Sequence, residues 1–297
     1  MEAPAGTATP ADGDTLHIAL TGDILLDRGV RRVISREGMD ALFSPGVDSL
    51  FTACDVVVGN LECPATHIVA PVYKQYIFRG EPEWLGDLRR HGITHLNLAN
   101  NHSIDQGRNG LTDTRENILR AGIVPIGAGS NMQEAVKPVL LAEKPRRVWL
   151  VASLQLALEN YAFLPHRPCV SQESIDSLCL RISSLRRDDP QCYIIACLHW
   201  GWENHTEVVP QQRQEARQLV AAGADCIVGH HTHTLQGHEQ YRGKPVYYGI
   251  GNFIFDPQRD VNRRGGVVVL TVTADGADSR LLPVDIKQCT PYIIAHD

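Results

Sequence analysis

The residues able to do chemistry fall in short clusters along the chain. "VGHHTH" (residues 228–233) sets His230, His231 and His233 directly after an apolar run. "TGD" supplies Asp23, "GNLE" supplies Asn60 and Glu62, "NLANNH" supplies Asn100, Asn101 and His102, and "CLHWGWE" supplies His199. Carboxylates, carboxamides and imidazoles together form a mixed oxygen and nitrogen donor set. Such a set suits Zn, Mn, Fe or Ni; a thiolate site would be softer, and a calcium site would take no imidazole. Two groups of such donors facing each other can hold a dinuclear centre, which activates water and clamps a phosphoryl or acyl oxygen.

For these side chains to meet, the elements carrying them must end at one place. Apolar, β-branched runs predict strands at "LHIALTGD" (16–23), "DVVVGNLE" (55–62), "ITHLNLANNH" (93–102), "VWLVASL" (148–154), "YIIACLHWG" (193–201) and "DCIVGHH" (225–231). Helical patterns follow at "LLDRGVRRVISRE", "PEWLGDLRRHG", "GLTDTRENILRAG" and "QQRQEARQLVAAG", the second with Pro82 in its first turn and Gly92 as its stop. Five of these strands end in the candidate donors, and ligands of α/β folds gather outside the strand carboxyl ends. Taken singly, each donor has a plainer reading. Thr21 or Asp23 could cap the next helix, the paired asparagines could form a turn, and His199 could be a hydrogen-bonded rim residue. Coincidence at five strand ends favours a metal site.

From residue 244 onward, "KPVYYGIGNFIF", "GGVVVLTVTADG" and "SRLLPVDIKQ" read as consecutive strands, for which antiparallel pairing is expected. Residues 155–175 are irregular and suit a lid or rim. The sum is an α/β domain with a mixed sheet or two packed sheets. The chain has 297 residues, 43% of them hydrophobic and 21% charged, with a formal charge of −6. That balance argues against a general nucleic-acid binder, which needs a basic face. Eight cysteines show no paired CxxC spacing and read as small buried hydrophobes in a reducing compartment. Residues 1–13 lack the basic and apolar regions of a signal peptide and read as a flexible leader before a single domain over 14–297. No apolar run is long enough to cross a bilayer. A cytoplasmic location is expected, compatible also with an exported parent whose signal has been removed; the oligomeric state is left open.

The motifs "GDILLDR" (22–28), "GNLE" (59–62), "FRGEPEWLGDLRRHGI" (78–93), "NLANNHSIDQGRNGLTDT" (97–114), "HWGWE" (199–203) and "VGHHTHTLQGHEQYRGKPVYYGIGNFIFD" (228–256) resemble, in this order, the CapA (poly-γ-glutamate capsule biosynthesis) family of the calcineurin-like metallophosphoesterase superfamily. The resemblance implies a four-layer α-β-β-α metallophosphoesterase-like sandwich with mixed sheets. It implies one or two divalent ions (Mn, Zn or Fe) at the sheet edge. Asp23 and a group in "GNLE", Asn60 or Glu62, would serve a first metal; Asn101, His199 and His231 a second; and His233 the first again. Where phosphoesterases of this class place a bridging aspartate, this chain has Asn60, which leaves Glu62 as the better bridging carboxylate. His102 would be the catalytic histidine, with Asp105 orienting its ring. One departure is sharp: the histidine usually found two residues after the first aspartate is Leu25 here.

On the substrate side, Arg28, Lys74 and Arg79 lie in or near these motifs and would suit an anion. Glu203 and Asn252 are further pocket candidates, and His230 is a pocket group or a support for the ligands. Trp200 and Trp202 either wall the pocket or pack, while Tyr247 and Tyr248 read as core. In an extended segment, residues two apart share a face, which makes His231 and His233 the ligand pair. The reading is a metal-dependent hydrolase or transferase acting on a phosphoester or a γ-glutamyl-type amide through metal-activated water, with His102 as general acid or base. The alternative is a non-catalytic accessory protein of polymer synthesis, partnered by an acidic polymer.

Overall fold

The computed structural model describes residues 15–294, so the expected leader lies outside the described residues. The chain runs through β1 (Thr15–Ile24), α1 (Arg28–Glu37), α2 (Pro45–Thr52), β2 (Val56–Leu61), α3 (Trp84–Arg90), β3 (His95–Asn97), α4 (Gly107–Arg120) and β4 (Val124–Ile126). The short β5 (Ala128–Gly129), α5 (Met132–Ala135) and β6 (Val139–Ala142) lead into β7 (Val148–Leu154) and β8 (Cys169–Val170). Then come α6 (Ile175–Asp188), β9 (Tyr193–His199), α7 (Pro210–Ala222) and β10 (Cys226–His230). The remaining strands are β11 (His238–Tyr241), β12 (Lys244–Tyr247), β13 (Asn252–Ile254), β14 (Arg264–Thr273), β15 (Ala277–Lys287) and β16 (Thr290–Ile293).

Two mixed sheets carry the fold. The larger has strand order β16-β15-β14-β1-β2-β3-β4, with β13 pairing the end of β1; the smaller has order β11-β12-β10-β9-β7-β6. Strand alternation sorts the side chains into layers. Leu16, Ile18 and Leu20 of β1 pack in one buried cluster with Leu150 of β7, Ile195 of β9 and Val228 of β10, which joins the two sheets face to face. Ala19 and Val57, on the opposite face, join the cluster that holds Val30, Phe51, Leu88 and Leu111 of the first helices. Ile194, Ala196 and Ile227 meet Leu178, Ile182 and Leu219 of α6 and α7. The result is the expected four-layer α-β-β-α sandwich.

Several local expectations are corrected. The stretch 244–255, expected as one strand antiparallel to the next, is divided between the two sheets. β12 pairs parallel to β10 in the smaller sheet, and β13 pairs parallel to β1 in the larger one. Residues 248–251 thus cross between the sheets, and antiparallel pairing holds from β14 to β16. The helix expected from Leu25 starts only at Arg28, capped by the Asp27 carboxylate. Neither Thr21 nor Asp23 is that cap: both lie within β1, fully buried. Leu25 and Leu26 are fully buried in the helix-side core, which hydrophobic burial favours over helix propensity. All eight cysteines carry free thiols, six of them buried. Among the described residues, no helix is long and apolar enough to cross a membrane.

Candidate metal centre and cleft

Strand register delivers the donors. Asp23 stands beside Asn60, and Asn60 beside Asn97, across β1, β2 and β3; in the other sheet His199 of β9 stands beside His230 of β10. Close backbone approach makes this possible at two glycines. A Cβ on Gly22 would lie 2.2 Å from the Gly251 carbonyl, and one on Gly229 2.0 Å from that of Tyr248. After β10 the backbone turns sharply. His231 and His233 both adopt left-handed conformations, with φ of 86° and 54°. Such conformations cost a side-chain-bearing residue about 1–3 kcal/mol each and persist where surrounding structure enforces them. His231 and His233 do both face the donors, but by way of this turn and not through the alternation of an extended segment.

The donors form two groups that share one carboxylate. Glu62, His199 and His231 make one; Asp23, Glu62 and His233 make the other. His199 Nε2 lies 3.2 Å from Glu62 Oε1, while His233 Nδ1 lies 3.2 Å from Asp23 Oδ2 and 3.7 Å from Glu62 Oε2. Glu62 therefore sits between the groups. Two carboxamides complete the picture: Asn101 Oδ1 is 2.9 Å from His199 Nε2, and Asn252 Oδ1 is 2.9 Å from His233 Nδ1. Asn60 stands differently. Its Nδ2 donates to Asp23 Oδ1 at 2.8 Å, and its Oδ1 accepts from Asn97 at 3.1 Å and Asn100 at 3.2 Å. Its oxygen is thus committed to a hydrogen-bond bridge that fixes Asp23. Asn100 belongs to the polar cluster expected at the end of the third strand, whereas Asn97, the last residue of β3, was not singled out by the sequence pattern.

The chemistry of the donors fits divalent cations. Both Glu62 oxygens and His231 Nδ1 are buried without a hydrogen-bond partner, whereas buried polar atoms are ordinarily bonded. Burial, reinforced by Asp23, pushes Glu62 well above the usual carboxylate range. Asp23 is lowered: burial opposes its charge, but the hydrogen bond and charge of His233 prevail. Burial likewise opposes charge on His233, yet Glu62 and Asp23 hold it up to about 10. Burial and the His233 charge lower His231 to about 3, and burial with the neighbouring imidazoles takes His199 well down. His199 and His231 are thus neutral, as ligating imidazoles must be, while a proton on His233 stands where a cation would.

Beside the donors lies a cleft of about 300 Å³ lined by His102, His233, Asn252, Arg28 and Glu203, together with Phe78, Phe255 and Asn262. His102 Nδ1 lies 2.9 Å from Asp105 Oδ2, and its ring stacks obliquely on Phe78 with centroids 4.4 Å apart. Asp105 thereby fixes the ring and leaves Nε2 as the available nitrogen. Burial lowers the His102 pKa, with Asp105 working the other way. Lys74 is not at the cleft surface. Its side chain is 4% exposed, its Nζ lies 2.5 Å from Asp105 Oδ1, and it donates to the Asn101 carbonyl at 2.9 Å. Its charge is spent inside the site, on the carboxylate that holds His102.

The other cations divide. Arg28 lines the cleft, with Nη2 2.5 Å from Asp256 Oδ1. Arg79 is turned away, its guanidinium on Glu81 and the Thr66 carbonyl. His230 reaches the Thr21 carbonyl at 3.1 Å, bridging the two sheets beneath the donors. Trp200 packs and donates to the Tyr248 carbonyl, while Trp202 is exposed against His205. Tyr247 and Tyr248 are buried, as expected. Asn262 of the cleft wall lies in a short 3-10 helix, Asp260–Arg263, and Arg259 immediately precedes it; that sequence carries no motif that would have marked them.

Comparison with known proteins adds the following. A family model described as bacterial capsule synthesis protein PGA_cap matches residues 17–257. The PGA biosynthesis protein CapA of Bacillus subtilis is 30% identical over 290 residues, covering 96% of this chain and 75% of that protein. A probable polyglutamine synthesis accessory protein of Mycobacterium tuberculosis is 28% identical over 293 residues, covering 82% of this chain and 75% of that one. Among solved structures, a phosphatase from Mycoplasma pneumoniae superposes with a TM-score of 0.54 at 11% identity, covering 92% of this chain and 95% of that one. The last likeness concerns the fold alone.

Proposed function

The chain belongs to the bacterial capsule synthesis family, and from that premise we propose that it is a metal-dependent hydrolase or transferase acting on an anionic substrate. The observation that carries this reading is Glu62, buried between two donor groups with both oxygens free of hydrogen bonds. Asp23, Glu62, His233 and Asn252 would hold one ion; Glu62, Asn101, His199 and His231 would hold the other. Divalent ions so held supply an acidified water and polarise a phosphoryl or carbonyl oxygen.

The chain's own residues do the rest. His102, fixed through Nδ1, offers Nε2 to move a proton at the leaving group, and neutral imidazole can accept or donate there. Lys74 and the Phe78 amide both bind Asp105, so the ring is oriented before any substrate arrives. Phe78 and Phe255 exclude water from the cleft, and Arg28 faces an incoming anion. The substrate is a phosphoester or a γ-glutamyl-type amide; the family's role in capsule synthesis favours the amide.

His102→Ala should keep its metal content and lose turnover by about 10²–10⁴-fold on the substrate that the wild type consumes. His231→Ala should lose metal in elemental analysis. The description of the mycobacterial relative as a polyglutamine synthesis accessory protein favours a second reading, an accessory protein of polymer synthesis. A fully metal-loaded wild type inert towards both phosphoesters and γ-glutamyl amides would support that reading over the enzymatic one.

A further inference from the structure

One short element of the cleft wall is folded against its own sequence. The turn Asp260–Arg263 contains a single apolar residue, Val261, which is 44% exposed, whereas Asn262 beside it is 4% exposed. Arg259, Asp260 and Arg263 are exposed as well. Folding alone favours the reverse, since an apolar side chain gains by burial and a carboxamide loses unless its hydrogen bonds are replaced. The partners of Asn262 account for the inversion.

Asn262 Nδ2 donates to the His233 carbonyl at 3.0 Å and to Asn204 Oδ1 at 3.0 Å, so both of its hydrogens are used. Its main-chain carbonyl accepts from Asn252 Nδ2 at 3.1 Å. One residue therefore fastens two donors of the same group, His233 through its backbone and Asn252 through the sense of its amide. Asn204 carries the restraint further, because its N–H donates to the Thr232 carbonyl at 2.8 Å. His233 and Asn204 both have left-handed backbones, with φ of 54° and 62°, a conformation that persists where neighbouring structure enforces it. Asn262 is the side chain that bonds both residues. Among the described residues, it makes no hydrogen bond to Asn101, His199 or His231.

We propose that Asn262 is a positioning residue for one ion of the pair, which rests on the two-ion reading of the centre. It holds the His233 turn and the Asn252 amide in place before any metal arrives. The ion served by Asp23, Glu62, His233 and Asn252 depends on it. The ion served by Glu62, Asn101, His199 and His231 does not. Residues that support ligands in this way tune affinity without touching the metal.

The test compares Asn262→Leu, which keeps the approximate volume and removes both donor hydrogens, with Asn262→Ser, which keeps one. Val261→Ala, on the exposed side of the same turn, is the control. Metal titration at buffered free-ion concentrations should show one ion weakened about tenfold or more in Asn262→Leu and the other within about twofold of wild type. Asn262→Ser should fall between Asn262→Leu and wild type, and Val261→Ala should leave both ions unchanged. A second readout needs no metal. In chelator-treated protein, hydrogen exchange over residues 203–206 and 231–236 should quicken in both Asn262 variants and stay at the wild-type rate across β7 and α6. Unchanged exchange overturns the proposal. So does an equal effect on both ions, which a merely structural residue would produce. A wild type that takes up no metal, with exchange quickened in the variants, refutes the two-ion reading and leaves Asn262 as the clamp of the turn.

Discussion

Replacing Asn252 tests the centre most directly. Its Oδ1 lies 2.9 Å from His233 Nδ1, the same nitrogen that lies 3.2 Å from Asp23 Oδ2 and 3.7 Å from Glu62 Oε2. Donors on a tetrahedral ion with bonds of about 2.1 Å stand about 3.4 Å apart, so this spacing accommodates a coordination shell as well as the hydrogen bonds of a protonated His233. The amide is also fixed in sense, because Nδ2 donates to the Asn262 carbonyl at 3.1 Å and leaves Oδ1 for the site. Once His233 Nδ1 has given up its proton, an amide oxygen facing it needs a cation between them. Asn252→Ala should therefore weaken one of two ions. Loss of a support residue costs about 10–100-fold in metal affinity, and a lost donor belongs at the upper end, about 2.7 kcal/mol per hundredfold. The assay is metal titration at buffered free-ion concentrations, with cobalt(II) absorption reporting the donor number. Asn252→Asp, which keeps an oxygen at this position, should retain both ions. Two ions held within about twofold of wild-type affinity in Asn252→Ala, with an unchanged cobalt spectrum, would refute the reasoning.

Metal loading should release protons. In the metal-free protein His233 is raised to about 10 and Glu62 is raised as well, so near neutral pH ligation displaces at least one proton, and apparent affinity climbs with pH up to that range; calorimetry in buffers of different ionisation heat measures the count, and zero protons released would contradict it. For the same reason, the His233 contribution to metal-free stability is full below about 6.5 and is lost as pH rises through about 10, which chelator-treated protein should show in its unfolding midpoint. Lys74→Met should cost about 3–5 kcal/mol in denaturant melts by leaving Asp105 buried without its partner. Adding Asp105→Asn should restore the stability and not the turnover, since His102 stays unfixed. Leu25→His, which writes the usual superfamily residue back into the sequence, should destabilise the fold by about 2–5 kcal/mol, because Leu25 is fully buried in the helix-side core. Its metal stoichiometry should remain that of the wild type.

The layered architecture was legible because period-two runs announced the long central strands; "VWLVASL" is β7 to the residue. The segment 244–256 misled for a physical reason. A continuous apolar stretch reads the same whether it runs as one strand or crosses between two sheets, as this one does between β12 and β13. Short edge elements such as β4, β11 and β16 depend on their neighbours for stability, so local pattern carries little trace of them. The start of α1 was misplaced because helix propensity in "LLDR" yields to burial of Leu25 and Leu26.

The centre was legible in residue type more than in role. Glu62 was expected to bridge because Asn60 occupies the usual aspartate position, and the geometry supplies the reason that Asn60 cannot: its oxygen accepts from Asn97 and Asn100. Three carboxamides thus do what one aspartate and its surroundings would otherwise do, holding Asp23 in place without adding a third buried charge. The same economy of charge applies on the other side. A histidine at position 25 would have to displace a leucine from the core, whereas Asn252 reaches His233 from β13, a strand paired directly with Asp23. Sequence spacing relates position 25 to Asp23 at once, and it cannot relate position 252 to it, because that neighbourhood exists only once β13 pairs with β1. The donor that appears lost near the N-terminus is therefore sought at the far end of the chain, and metal binding by the Asn252 variants decides whether it is found there.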